Sequence, residues 1–203
     1  YTRIMNPTVA AFEERIAALE GGTAGLAASS GHAAQTLVFH TIMEPGGEIV
    51  AARQLYGGSV NQFNQAFKKY DWHVKWADAT DADSFKRQIT DKTRAIFCES
   101  IANPGGVISD LEPIARVAQD AGVPLIVDNT LASPYLIRPF EWGAHIVVHS
   151  ATKFLGGHGN SLAGVIVEAG TFDWSKSGKY KTMMEENASY HGLRFYETFG
   201  DFA

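Results

Sequence analysis

One cysteine, Cys98, stands in 203 residues, so no internal disulfide can form, and the composition fits a reducing compartment, read here as the cytoplasm. Basic charge is also short. Seventeen Lys and Arg face 22 Asp and Glu, the formal net charge is −5, and no basic stripe runs along the chain, which makes nucleic acid and anionic membrane poor partners. Long apolar runs are missing as well. The most apolar stretch, Ala24 to Met43, is interrupted by Gly31, His32, Gln35 and His40, so nothing in it spans a bilayer. Low-complexity tracts are absent, and 45% hydrophobic with 19% charged residues is an ordinary globular mixture with material for a real core. The length suits one large domain, or one with a remnant of a second.

Several familiar chemistries lack their residues. No Gly-Lys-Ser/Thr occurs, so there is no Walker phosphate loop, and no Gly-x-Ser-x-Gly nucleophile elbow occurs either. Gly156-Gly157-His158-Gly159 starts like a dinucleotide fingerprint, but Leu162 stands where the third glycine is required. His145 and His149 lie on one strand, where four residues separate side chains by about 13 Å, too far to share one ion. Cys98, between Phe97 and Glu99, reads as a buried core thiol rather than a nucleophile.

What is present is alternation. Asn6 as cap, Pro7 in the first turn, Val9, Phe12, Ile16 and Leu19 on one face, and Gly21-Gly22 as a stop predict a first helix. Strand-like runs then follow at 24–29, 48–52, 73–77, 95–99, 125–127, 145–149 and 163–167, the last reversing direction. Helical stretches stand between them at 31–43, 57–69, 82–89 and 111–121. The expectation is an α/β fold, a mostly parallel seven-stranded sheet between helices. Apolar strands repeatedly end in polar or glycine clusters: Ser29-Ser30-Gly31, Glu99 with Asn103, Asp128, and Ser150 with Lys153. In open α/β sheets ligands bind outside the carboxyl ends of the strands, so these four clusters are expected to converge.

The chemistry of those clusters is specific. Lys153 directly follows a strand end amid Phe154, Leu155 and glycines, where partial desolvation would make its amine nucleophilic toward an aldehyde. Ser150 and Thr152 flank it with hydroxyls suited to a phosphate on the same ligand, and Ser30-Gly31-His32 opens a helix whose N–H groups and dipole favour an anion. Asp128 supplies a carboxylate able to keep a pyridinium nitrogen protonated. Aldehyde, phosphate and ring nitrogen together describe pyridoxal 5'-phosphate.

These residues resemble the PLP-dependent enzymes of cysteine and methionine metabolism, of the aspartate aminotransferase fold. The resemblance is carried by Tyr1-Thr2-Arg3 with Asn6-Pro7-Thr8, Ser30-Gly31, Leu55-Tyr56-Gly57-Gly58, Glu99 with Asn103-Pro104, Val127-Asp128-Asn129-Thr130, and His149 through His158, in the family's order. It implies that Lys153 bonds the cofactor and relays substrate protons, that Asp128 partners the pyridine nitrogen, and that Tyr56 stacks on the ring and assists catalysis. Gly31 and His32 through backbone N–H, and Ser30, Ser150 and Thr152 beside them, form the implied phosphate cup. Asn103 lies near the ring hydroxyl with Glu99 in support. For Glu99 the alternative is an anchor behind these contacts, and for Tyr56 a packing aromatic. Tyr1 and Arg3 are implied to reach a neighbouring subunit's phosphate, which makes the protein a homo-oligomer with composite sites, a dimer or a tetramer of them. Residues 1–203 then correspond to the PLP-binding large domain, truncated at both ends, without the carboxyl-terminal small domain that carries the family's substrate-carboxylate arginine. Arg194 reads as a surface charge rather than a substitute.

Within the family, Ser189-Tyr190-His191-Gly192-Leu193, preceded by Phe172-Asp173-Trp174 and a lysine-rich insert, resembles O-acetylhomoserine sulfhydrylases. Gly58 stands where methionine γ-lyases usually carry cysteine, and His32 where the family often has Met or Gln. The implied reaction joins O-acetylhomoserine with sulfide, a thiol, or the thiol of a sulfur-carrier protein. Open beside it are methionine or cystathionine lyase or synthase activity, and a noncatalytic α/β module that binds a partner.

Overall fold

Among the residues described by the computed structural model, 1–2 and 4–202, seven strands form one sheet. They are β1 (Ala24–Ala28), β2 (Glu48–Ala52), β3 (His73–Ala77), β4 (Thr93–Glu99), β5 (Leu125–Asp128), β6 (Ile146–His149) and β7 (Gly164–Glu168), in spatial order β1-β7-β6-β5-β4-β2-β3. All pairings from β3 to β6 are parallel, and β7 runs antiparallel to both β1 and β6, the reversal expected of the last strand. The connections are α1 (Pro7–Glu20), α2 (Gly31–Ile42), α3 (Gly57–Asn61), α4 (Ala82–Lys86), α5 (Leu111–Ala121) and α6 (Ser133–Leu136), with α7 (Lys181–Met184) and α8 (Phe195–Phe199) beyond β7. No helix among the described residues is long and apolar enough to cross a membrane.

The first helix starts and stops as expected: Asn6 Oδ1 accepts from the Thr8 and Val9 N–H groups, and Gly21 closes it at φ 80°. Its buried face differs. Ile16, Ala17 and Glu20 are buried, whereas Val9 and Leu19 of the expected stripe are exposed. The helix lies along the sheet edge, where Glu13 Oε1 accepts from the Ala27 N–H at 2.7 Å, so only its last turns cover β6 and β7. The expected helix over 57–69 is also modified. After α3 the backbone widens to a π turn at Gln62–Ala66 and tightens to 3-10 geometry at Phe67–Tyr70. That path sets Phe63 and Phe67 against Phe39 of α2 and Phe97 of β4, with ring centroids 5.2 to 5.8 Å apart. Burying each such ring stabilises the fold by about 2 kcal/mol, which outweighs an irregular turn.

The pleat divides the sheet's two faces. On β6, Ile146 and Val148 join the larger core on the α2 side, while Val147 packs with Ile16 and Ala17 of α1. At the carboxyl ends, Glu99 pairs in register with Asp128, and Asp128 with Val148. This alignment places Glu99, Asp128 and the turn after β6 side by side. Gly164 opens β7 because a Cβ there would lie 2.0 Å from the Ser30 carbonyl oxygen, so only glycine lets β7 pass beneath the start of α2.

Candidate active site

A cavity of about 530 Å³ opens at the carboxyl ends of β4, β5 and β6. Ten of the twelve residues expected at the site line it: Ser30, Gly31, His32, Tyr56, Glu99, Asn103, Asp128, Ser150, Thr152 and Lys153. Tyr1 lies elsewhere and is 85% exposed, and Arg3 falls outside the described residues.

Asp128 ends β5 as a buried carboxylate. Its Oδ1 accepts from Thr130 N at 2.9 Å and Thr130 Oγ1 at 2.5 Å, and its Oδ2 accepts from Gln35 Nε2 at 3.0 Å. A carboxylate has room for about four such bonds, so one acceptor position remains toward the cavity. Thr130 Oγ1 in turn accepts from Ser150 N at 2.8 Å, which ties the end of β5 to the turn after β6. Gln35 reaches Asp128 from α2, and its second amide hydrogen serves Ser59 Oγ at 3.2 Å. Donors must face the carboxylate, which settles the amide's orientation and leaves Gln35 Oε1 buried without a partner among the described residues.

Glu99 links two loops. Its Oε1 accepts from Tyr56 N at 2.6 Å and its Oε2 from Asn103 N at 3.0 Å. Burial pushes its carboxyl up to about 7, with the neighbouring Asp128 charge adding to the rise and the two N–H bonds opposing it. Its side-chain hydrogen bonds among the described residues are with backbone N–H groups. The Tyr56 ring is about half exposed and stacks on His32, centroids 5.8 Å apart with planes at 24°.

At the opposite wall, Ser30 caps α2 by accepting from Ala33 N at 3.1 Å, and the N–H groups of Gly31 and His32 in the first turn have no intrahelical acceptor. A Cβ on Gly31 would lie 2.8 Å from Ser150 Cβ, so the glycine lets this helix start close against the β6 turn. Thr152 departs from expectation, since its hydroxyl donates to the Ala163 carbonyl at 3.2 Å and accepts from Ala163 N at 3.1 Å. Lys153 does too. It lines the cavity but is exposed, as is Phe154 beside it, so the described residues do not supply the expected desolvation.

The histidines and the thiol have structural surroundings. His145 Nδ1 accepts from Leu125 N, His149 Nε2 meets Glu20, and burial pushes the Cys98 thiol up to about 12. Arg194 pairs with Glu197 and Glu186 on the surface. Sequence reasoning assigned no site role to Gln35, Ser59 or Thr130. A glutamine on an otherwise apolar helix face was the available signal for the first.

The arrangement is that of an α/β domain with an amine, a carboxylate and an anion cradle around one cavity. The model for the Cys/Met metabolism PLP-dependent enzymes matches residues 1–197, and the chain belongs to that family. It is similar to the O-acetyl-L-homoserine sulfhydrylase of Leptospira meyeri, 48% identical over 202 residues that make up 100% of this chain and 46% of that one. Among solved structures it matches a putative O-acetylhomoserine (thiol)-lyase from Campylobacter jejuni containing N'-pyridoxyl-lysine-5'-monophosphate. The TM-score is 0.94 at 32% identity, over 97% of this chain and 49% of that one. It also matches the cystathionine gamma-lyase of Lactobacillus plantarum complexed with L-serine, TM-score 0.80 at 39% identity, over 83% and 44%. The chain therefore spans about half the length of these relatives. The donor set fits the family's cofactor, pyridoxal phosphate: the free position on Asp128 suits the ring nitrogen, and the α2 start packed against Ser150 suits the phosphate.

Proposed function

We propose that residues 1–203 are the PLP-binding large domain of an enzyme that replaces the acetate of O-acetylhomoserine with sulfide to give homocysteine, or with methanethiol to give methionine. The carrying observation is the convergence of Lys153, Asp128 and the Ser30–Gly31 helix start on one cavity, in a chain whose relatives include named O-acetylhomoserine sulfhydrylases. When bound, pyridoxal phosphate supplies an electron sink for the amino acid's Cα. Lys153 would hold the cofactor's aldehyde carbon and, once a substrate amine has displaced it there, would be placed to move protons between the substrate's Cα and Cβ. Asp128, held by Thr130 and Gln35, would keep the proton on the ring nitrogen. Gly31 and His32 N–H, with Ser30 and Ser150, would bind the phosphate. Thr152 would join them if its hydroxyl exchanged the Ala163 carbonyl for a phosphate oxygen. Tyr56 would cover the ring, and Glu99, which accepts from the Tyr56 and Asn103 N–H groups, would fix both residues beside it.

Gly58 favours this reaction over a methionine γ-lyase. A Cβ at this position would lie 2.4 Å from Tyr56 Cε1 and 2.6 Å from His32 Cε1, so a cysteine there requires the stacked rings to move apart. Tyr1 and Arg3 serve a neighbouring copy in a dimer of composite sites, and two such dimers in a tetramer. The exposure of Tyr1, Ile4 and Met5 supports a covered amino-terminal segment. A sulfur-carrier protein is an alternative thiol donor to free sulfide. A cytoplasmic setting completes the reading, supported by the single buried thiol.

The test is a visible absorbance band that borohydride bleaches, with the label mapping to Lys153, followed by product analysis. Homocysteine and acetate from O-acetylhomoserine and sulfide support the reading. An α-keto acid and ammonia from a sulfur amino acid indicate a lyase, and the absence of band and label removes the enzyme reading in favour of a noncatalytic module.

A further inference from the structure

Behind the cavity, on the other face of the same strand ends, lies a buried polar chain that the proposed chemistry does not use. Glu20 at the end of α1, Asn129 and His149 are fully buried, and Ser100 is nearly so. Glu20 Oε1 lies 2.5 Å from His149 Nε2 and accepts from Asn129 Nδ2 at 3.0 Å. Asn129 Nδ2 also donates to the Ile137 carbonyl at 2.9 Å, and Asn129 Oδ1 accepts from Ser100 Oγ at 2.7 Å. Each strand-end member is the sequence neighbour of a cavity residue: Ser100 follows Glu99, Asn129 follows Asp128, and His149 precedes Ser150. Successive side chains turn to opposite faces, so β4, β5 and β6 are gripped on the α1 face and present the cavity on the other.

The grip is an expensive way to fill space. Glu20 Oε2 and His149 Nδ1 have no partner among the described residues, and a buried polar or ionic pair is often no better for stability than apolar residues of similar volume. Directional bonds fix relative position where apolar contact does not, because they weaken steeply with distance and angle. We propose that Glu20 is a positioning residue that, through His149, Asn129 and Ser100, sets the relative positions of the three strand ends and hence the spacing of Glu99, Asp128 and Ser150 around the cofactor. This rests on the cofactor site proposed above.

The test uses the full chain loaded with pyridoxal phosphate and reads cofactor affinity by visible absorbance, ring orientation by visible circular dichroism, and folding by thermal unfolding of the cofactor-free protein. In the double variant Glu20→Leu, His149→Leu, thermal unfolding stays near wild type, while the cofactor dissociation constant rises at least about tenfold and the visible dichroism changes, as expected for misplaced groups in a prepared site. Glu20→Gln, whose amide oxygen can accept from both Asn129 and His149, returns to within about threefold of wild type. Should the double variant fail to fold, Ser100→Ala removes only the last bond, and the dissociation constant rises about threefold with altered dichroism. Wild-type affinity and dichroism in whichever of these two variants folds would overturn the proposal, as would a loss in the double variant that Glu20→Gln shares in full. A wild-type chain without the visible band defeats the cofactor reading itself and is recognisable before any variant is made.

Discussion

At the amino ends of the strands, buried and half-buried polar side chains close off backbone groups, whereas at the carboxyl ends of the same strands they turn toward one another around an open cavity. His145 Nδ1 accepts from Leu125 N at 3.1 Å, Tyr180 Oη donates to the Arg94 carbonyl at 2.8 Å, and Lys179 Nζ donates to the Thr93 and Ala121 carbonyls at 3.2 Å. Trp174 and Phe172 pack over this end, their centroids 4.9 and 5.6 Å from the Tyr180 ring. There the polar side chains complete the hydrogen bonding of the backbone around the strand starts. At the other end Asp128 retains an acceptor position, Lys153 stays exposed, and the first N–H groups of α2 have no intrahelical acceptor. Polarity alone therefore does not mark the site. Unused hydrogen-bonding capacity at a cavity does.

If that contrast is correct, changes at one end alter chemistry and changes at the other alter stability. Lys153→Ala should lower turnover by more than about 10³-fold and abolish the borohydride-fixed label, with thermal unfolding of the cofactor-free protein unchanged. Asp128→Ala, with cofactor bound, should lower kcat by about 10²-fold, and a near-normal rate would remove the role given to Asp128. At the amino end, burial holds the His145 imidazole down to about 4 from its usual 6.5, so it stays neutral when folded and protonates more readily when unfolded. Its contribution is therefore present above pH 6.5 and lost as pH falls toward 4. Urea titrations across that window should show wild type losing on the order of 2 kcal/mol relative to His145→Gln as pH falls, a difference from which the opposing rise due to the Glu99 carboxyl cancels. Tyr180→Phe has the smallest expected effect, about 1 kcal/mol from one hydrogen bond, with catalytic constants unchanged. An activity loss in Tyr180→Phe equal to that of Asp128→Ala would break the comparison.

Much of the strand pattern was legible because buried strands are short apolar runs bounded by turns, and all seven lie within a few residues of where those runs stand. The cavity's lining was legible through motifs at strand ends. Less visible were features that depend on a partner distant in sequence. The face of α1 was misread because Val9 and Leu19 obey helical spacing, but the helix overlies the sheet edge and needs only Ile16, Ala17 and Glu20 inside. The π turn at Gln62–Ala66 has no local signature, since it arises from fitting Phe63 and Phe67 into rings already placed by α2 and β4. Thr152 and Lys153 were read from neighbours in sequence, whereas their surroundings are set by Ala163 and by what the chain leaves uncovered.

The sequence by itself determined the alternation of strands and helices, the turn chemistry at their ends, and which chemical groups stand at strand ends, because these follow from local period, caps and residue type. Only the tertiary structure decided that β7 is inserted between β1 and β6, that Gln35 and Thr130 hold Asp128, and that Glu20 binds His149 and Asn129 from behind. Those pairs lie as far as 129 positions apart along the chain. Hydrogen bonds of that span form only once sheet and helices have packed, so their cause is the fold and not the adjacent residues.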